Sequence, residues 1–206
     1  MNPKKLMKSL KALSGWRETA FILALVERAL PNMILFLEST ERVELDKELF
    51  PNGLYSLMDK SWEGAIEKPE EDAAIACLDE VVGHIVEEEL DSFGVLPCNN
   101  GLELWEMALI SSLNREKKRA EEASQLSIAT VSEFIEFTEG EGLDDNALVR
   151  LFEKHELMAR ELSFQQELCD LLRSAEKPGK ELLRTVRELA RDDGWSNLGI
   201  SLDEGE

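Results

Sequence analysis

The sequence predicts an all-α fold, a single globular domain of eight or nine helices packed as a multi-helical bundle. Three observations carry that reading. Apolar residues recur at spacings of three and four along almost the whole chain. No alternating run of β-branched residues is long enough to make a half-buried strand. Short Gly, Pro, Asn and Asp clusters punctuate the periodic stretches, as the short connections of helical folds require. With 206 residues, 43% of them hydrophobic, the chain has enough apolar material for one sizeable core.

The elements follow in order. Residues 3–13 place Leu6, Leu10 and Leu13 on one face, with Pro3 suited to a first turn. Ser14-Gly15 breaks that helix. Residues 15–30 carry Trp16, Ala20, Leu23 and Ala24, with Phe21, Ile22, Leu25 and Val26 around them; a helix apolar on most sides is buried on most sides. Pro31 ends this helix or opens the next, 31–39, with Met33, Ile34, Phe36 and Leu37. The stretch 40–52 is charged and runs into the loop signal Pro51-Asn52-Gly53. Residues 53–67 resume with Leu54, Leu57, Met58, Trp62 and Ile66. Pro69 opens a helix over 70–90, with Ile75, Leu78, Val82 and Ile85 inward and Glu87 to Glu89 outward.

Phe93 to Pro97 reads as a connector, and Asn99-Asn100-Gly101 as a turn or a helix's first turn. A helix over 101–113 then carries Leu102, Trp105, Leu109 and Leu113. The helix over 116–138 is rich in Ala, Ser and Thr, which allow close approach of neighbours. Glu139 to Gly142 is an exposed turn. Asp144 caps a long helix over 145–175, whose stripe runs Leu148, Leu151, Phe152, His155, Met158, Leu162, Gln165, Cys169 and Leu172. Pro178-Gly179 precedes a last helix, 178–192, stopped at Asp192-Asp193-Gly194. Residues 194–206 form an extended acidic tail. Its first part, Trp195 to Ile200, packs on the body, and its end is solvated.

Charge narrows the function classes. The chain holds 23 Lys+Arg against 43 Asp+Glu, a formal charge of −20. That excludes a general nucleic-acid binder, which needs basic surface to displace counterions from phosphates. The first 35 residues are net +4, residues 36–110 net −15 and residues 111–206 net −9. The first helix, with Lys4, Lys5, Lys8 and Lys11, is thus the one basic face. It is either simply solvated or docked on the acidic body or an acidic partner. Three widely spaced cysteines without a CxxC pair imply reduced thiols and a cytoplasmic home. The apolar run Ala20 to Val26 is flanked by Glu18, Glu27 and Arg28, which argues against a signal peptide, and the sequence predicts no membrane span.

No constellation announces catalysis. The residues three before His84 and His155 are Val81 and Phe152, so the Glu-x-x-His motif of a di-iron bundle is missing. Cys77, Glu80 and His84 share a helix face, but a cysteine beside Ile75 and Leu78 reads as core. No P-loop or G-x-G-x-x-G occurs. Arg115, Lys117, Lys118 and Arg119 are interleaved with glutamates and read as surface ion pairs. Cys98 near a helix start reads as a structural cysteine, with an activated thiol as its alternative. The polar residues singled out as binding candidates are Glu27, Arg28 and Asn32 beside the apolar helix, His155 on its apolar stripe, and Ser196 and Asn197 in the tail. No catalytic residue, metal site or cofactor is indicated.

Leu13-Ser14-Gly15-Trp16, Ala20-Phe21, Glu27-Arg28 and Pro31-Asn32, with Ser127 to Val131, Leu189-Ala190-Arg191 and Ser196 to Ile200, form a combination spread over nearly the whole chain. It resembles the YjaG-like family of uncharacterised bacterial proteins. The resemblance implies a helical fold and a cytosolic compartment, and supplies no activity, cofactor or catalytic residue. The favoured functional reading is a non-enzymatic interaction or adaptor protein whose acidic surface meets a protein partner, a basic one being the electrostatic match. The alternatives are a small-molecule binder or enzyme with a pocket between helices, and a self-associating protein such as a homodimer.

Overall fold

The fold is organised around α2 (Trp16–Ser39), and its sequence explains why. Every residue from Ala20 to Val26 is buried, so this helix needs neighbours on all sides. The largest cover comes from α5 (Val95–Leu113); α3 (Asn52–Ile66), α6 (Ala120–Glu139), α8 (Glu156–Ser174) and α9 (Lys180–Arg191) close the rest. The computed structural model describes residues 3–39, 52–83, 85, 93–115 and 118–202. Among these there are nine α-helices, one 3₁₀ turn and no strand, in accord with the all-α bundle. At the α2–α5 crossing, Gly101 admits Met33: a Cβ there would lie 2.8 Å from the Met33 sulfur.

The remaining helices are satellites. α1 (Pro3–Lys11) buries Leu6 and Leu10 against α8 and α6. Lys5 reaches Asp170 at 3.4 Å and Lys11 reaches Glu121 at 3.9 Å, so the basic helix lies on the acidic body. α4 (Glu71–Gly83) packs on α5. α7 (Asp145–Lys154) has no buried residue and lies on α8 and α6.

Several expectations need correction. Pro31 neither ends nor begins a helix; it sits inside the continuous 24-residue α2. A proline there removes one helical hydrogen bond, but Leu30, Met33, Ile34, Phe36 and Leu37 are all buried and hold the segment in place. α5 starts at Val95, not at residue 101, and the supposed connector is its first turn. Pro97 is tolerated there because first-turn N–H groups have no helical acceptor. On α4 the fully buried residues are Ala74 and Val81; of the four expected inward, Leu78 and Ile85 pack against the core, while Ile75 and Val82 are 42% and 43% exposed. α3 begins at Asn52, inside the expected loop. The rest of that loop, His84, Glu87 to Glu89 and residues 203–206 of the acidic tail lie outside the described residues.

The long helix over 145–175 is two helices. His155 takes an extended conformation (φ −72°, ψ 138°) between α7 and α8. Asp144 caps α7 as expected, accepting the Ala147 N–H at 2.8 Å. One further expectation changes: Trp16–Glu38 is long and apolar enough, by length and composition, to cross a membrane. Of its most apolar 18-residue window 89% is buried inside the protein, where the helix forms the centre of the core.

The described part of the segment after α9 folds back on the body as a closed loop. Asp192 and Asp193 take positive φ (44° and 54°) and turn the chain back. Trp195 pairs with Ser201 as an antiparallel bridge. The Ser196 hydroxyl accepts the N–H groups of Leu198 and Ile200, each at 3.1 Å. Gly199 at φ +73° permits the turn, and Leu198 is buried with Val131, Ile135 and Met158 in a small second core.

Candidate functional site

Pro31 leaves the last turns of α2 beside the returning C-terminal loop, and the polar candidates meet there. The Asn197 N–H donates to the Arg28 carbonyl at 3.3 Å. The Asn32 amide donates to Asn197 Oδ1 at 2.8 Å, leaving Asn32 Oδ1 buried without a donor. Five of the six candidates, Glu27, Arg28, Asn32, Ser196 and Asn197, are buried in this region. His155 is not part of it. Its Nδ1 accepts the Leu157 N–H at 3.2 Å and its Nε2 lies 3.1 Å from Glu139, so it caps α8 and ties it to the end of α6.

Glu27 and Arg28 are adjacent in sequence and point into different networks. The Glu27 side chain is 1% exposed. Its carboxylate accepts from Trp62 Nε1 (2.5 Å), Arg187 Nε (3.0 Å) and Arg191 Nε (2.8 Å). Arg187 also reaches Asp59 at 2.7 Å. Burial opposes the charge of Arg187, but bonds to Glu27 and Asp59 outweigh it and raise its pKa. A buried charge needs this degree of pairing, because an unpaired carboxylate in the interior is costly.

Arg28, 3% exposed, donates to Glu161 at 3.3 Å and to Asp192 at 3.2 Å, and stacks 4.6 Å above the Phe164 ring. Glu161 is fully buried; its other oxygen accepts from Ser127 and Gln165, each at 2.7 Å. Asp192 also accepts from Arg160 at 2.7 Å. Burial would raise the Asp192 pKa, but Arg160 and Arg28 hold it below the usual aspartate value. The positive φ of Asp192 is therefore the backbone cost of aiming a carboxylate at two arginines.

A cleft of about 410 Å³ opens beside the Glu27 network. Tyr55, Asp59, Arg187, Arg191 and Trp195 contribute to its walls, and Tyr55 and Trp195 are 40% and 47% exposed. The cleft presents two arginines, the Asp59 carboxylate and two aromatic rings, with Leu30, Pro31 and Leu202 beside them, room for a small ligand with both polar and apolar parts.

The cysteines are poorly suited to nucleophilic chemistry. Cys98 and Cys169 are fully buried, and burial pushes both thiols up to about 12. The helix start at Cys98 does not activate it. Among the described residues, no three His, Cys, Asp or Glu side chains are grouped to hold a metal ion. Within the basic stretch, Arg115 donates to the Gly64 carbonyl at 3.1 Å and the Arg119 N–H to buried Glu18, so these residues join elements. Burial raises the Glu18 pKa, and backbone bonds from Arg119 and Ala120 oppose that rise.

The family model described as "Protein of unknown function (DUF416)" matches residues 5–201. The chain belongs to the DUF416 family. A Haemophilus influenzae "Uncharacterized protein" is 25% identical over 201 residues, covering 96% of this chain and 97% of the relative. The Escherichia coli K12 "Uncharacterized protein YjaG" is 27% identical over 198 residues, 93% of each chain. The crystal structure of a DUF416 family protein from Shewanella baltica superposes with a TM-score of 0.81 at 26% identity, covering 95% and 97% of the two chains. The YjaG-like resemblance and the helical architecture are thus both those of DUF416.

Sequence reading missed Trp62, Arg187, Arg191, Arg160, Glu161 and Asp192. One signal was available: Arg187 and Arg191 stand one turn apart on α9, beside buried Val186 and Ala190. Nothing local marks Glu161 as buried, since carboxylates are common throughout this chain.

Proposed function

We propose that this DUF416 protein is a cytoplasmic, non-enzymatic interaction protein that meets a basic protein partner through its acidic surface. The observation that carries the reading is the use of the strongest polar candidates. Glu27 and Arg28 are saturated by Trp62, Arg187, Arg191, Glu161 and Asp192, and so join α2, α3, α8 and α9 to one another. Their polar atoms stabilise the fold rather than face a reacting molecule. What remains available is the surface, where a net charge of −20 attracts a basic partner and repels nucleic acid.

The cleft beside Arg187 favours a second reading, a small-molecule binder, and one experiment separates the two. The protein is isolated untagged from its own host at low salt and weighed by native mass spectrometry. The expected result is a second, basic polypeptide that dissociates when salt is raised, as screened surface charges require. A stoichiometric small-molecule adduct, lost on Arg191→Ala, would overturn the interaction reading. Multiples of 23.3 kDa alone would favour self-association instead.

A further inference from the structure

The aromatic side chains at the end of α6 are the least explained feature of the surface. Phe137 is 66% exposed, the highest value among the large exposed hydrophobic residues described. It is not alone. The Phe93 ring, just before α5, stacks on it with centroids 4.5 Å apart and planes at 21°. Phe134, one turn earlier on α6, lies 5.7 Å from Phe93 in a tilted contact. Leu96, whose N–H bonds to the Phe93 carbonyl at 3.2 Å, is a further 38% exposed. Single exposed apolar residues are ordinary, but a contiguous aromatic patch built from two elements marks a contact surface.

Charge identifies the occupant. From Ala120 to Val149 there are eight carboxylates and no lysine or arginine. Two of them, Glu133 and Glu136, lie on the same turns of α6 as Phe134 and Phe137. Glu133 Oε2 is buried and has no hydrogen-bond partner. Burial and the neighbouring Glu136 charge both push the Glu133 carboxyl up, and among the described residues no hydrogen-bond donor reaches its buried oxygen. A second copy would bring the same eight carboxylates and be repelled. The chain's own basic helix is engaged elsewhere, through buried Leu6 and Leu10.

We propose that the Phe93–Phe137 stack, with Glu133 and Glu136 beside it, is the docking surface for a basic amphipathic segment of a partner protein. An apolar side chain of the partner covers Phe137, and a lysine or arginine supplies the missing donor to Glu133. The proposal rests on the interaction reading above and narrows it to one surface and one chemistry.

The test titrates the full-length protein against a fluorescent peptide of Leu and Lys at helical spacing, read by anisotropy at low salt. Phe137→Ser and the pair Glu133→Gln/Glu136→Gln are each expected to weaken binding about tenfold, the loss that removal of one anchor brings. Glu70→Gln/Glu71→Gln, an equal charge loss at exposed positions near the start of α4, is expected to stay within about twofold. Because Phe137 is mostly exposed, its substitution leaves the core intact, and urea unfolding checks this. If both charge pairs weaken binding equally and Phe137→Ser does not, the patch is overturned while the acidic-surface reading stands. If the wild-type chain does not bind the peptide at all, both fall. If light scattering shows a dimer that Phe137→Ser dissociates, the occupant is a second copy and the proposal is wrong.

Discussion

Replacing Glu27 by Gln tests whether the α2–α9 network is a structural clamp. The change keeps size and shape and removes one charge. In the native protein the carboxylate accepts from an indole and two guanidiniums and is 1% exposed. Gln retains one acceptor oxygen and turns an NH₂ toward cationic donors. Breaking a fully buried ion pair costs about 3–5 kcal/mol. The cost here is lower, because Arg187 keeps Asp59 and Arg191 is 54% exposed and regains water. The expected loss is about 2–3 kcal/mol, with Glu27→Leu costing about 1–2 kcal/mol more because Trp62 Nε1 also loses its acceptor. For a chain of this size that lowers Tm by roughly 4–12 °C. Urea unfolding at neutral pH measures it, with an unchanged m-value as the check that the denatured state is the same. A Glu27→Gln protein within about 0.5 kcal/mol of wild type would refute the clamp and reopen Glu27 as a residue kept for a ligand in the cleft.

Three further outcomes follow from the same geometry. The folded pKa of Asp192 lies below its ordinary value of 3.8, so its contribution is complete above that pH and lost as pH falls through the lower folded value. The stability gap between wild type and Asp192→Asn, measured by urea unfolding, is therefore expected to narrow below about pH 3.8 and to stay constant above it. Asp193, exposed and at φ 54°, is expected to gain about 0.5–1 kcal/mol when replaced by Gly, whereas Asp192→Gly at φ 44° destabilises because it also releases Arg28 and Arg160. Of the three thiols, partly exposed Cys77, itself raised by burial, is expected to react slowly with a chromogenic disulfide at neutral pH and faster as pH rises, Cys98 and Cys169 reacting only after denaturant is added.

The helices were legible wherever burial and periodicity coincide. The run Ala20 to Val26 announces a central helix because seven consecutive apolar residues leave no solvent face. Asp144 announces a helix start because its carboxylate reaches an otherwise unpaired N–H. Boundaries failed where tertiary packing overrides local signals. Pro31 should end a helix, yet buried side chains on both sides of it carry α2 onward. His155 has neither the missing N–H of proline nor the freedom of glycine. It breaks the helix through bonds to Leu157 and Glu139, and the second of these is set by the packing of α8 on α6.

The polar candidates were legible in part for a related reason. Glu27 and Arg28 stand out because a charge next to seven buried apolar residues cannot reach water easily and must find partners. The sequence marks that need and is silent on the partners, which come from residues more than 30 positions away: Trp62 on α3, Arg187 and Arg191 on α9, and Glu161 on α8. The same argument connects α2 to the C-terminal loop. Asn197 bonds to Arg28, three residues before Pro31, and to Asn32, the residue after it, while the Ser196 hydroxyl holds the loop closed. Two adjacent charges on one buried helix thus fix two separate walls of the bundle, Glu27 holding α9 and Arg28 holding α8 with the turn at Asp192. A fold held this way has its strongest electrostatic interactions inside, between helices rather than at the surface.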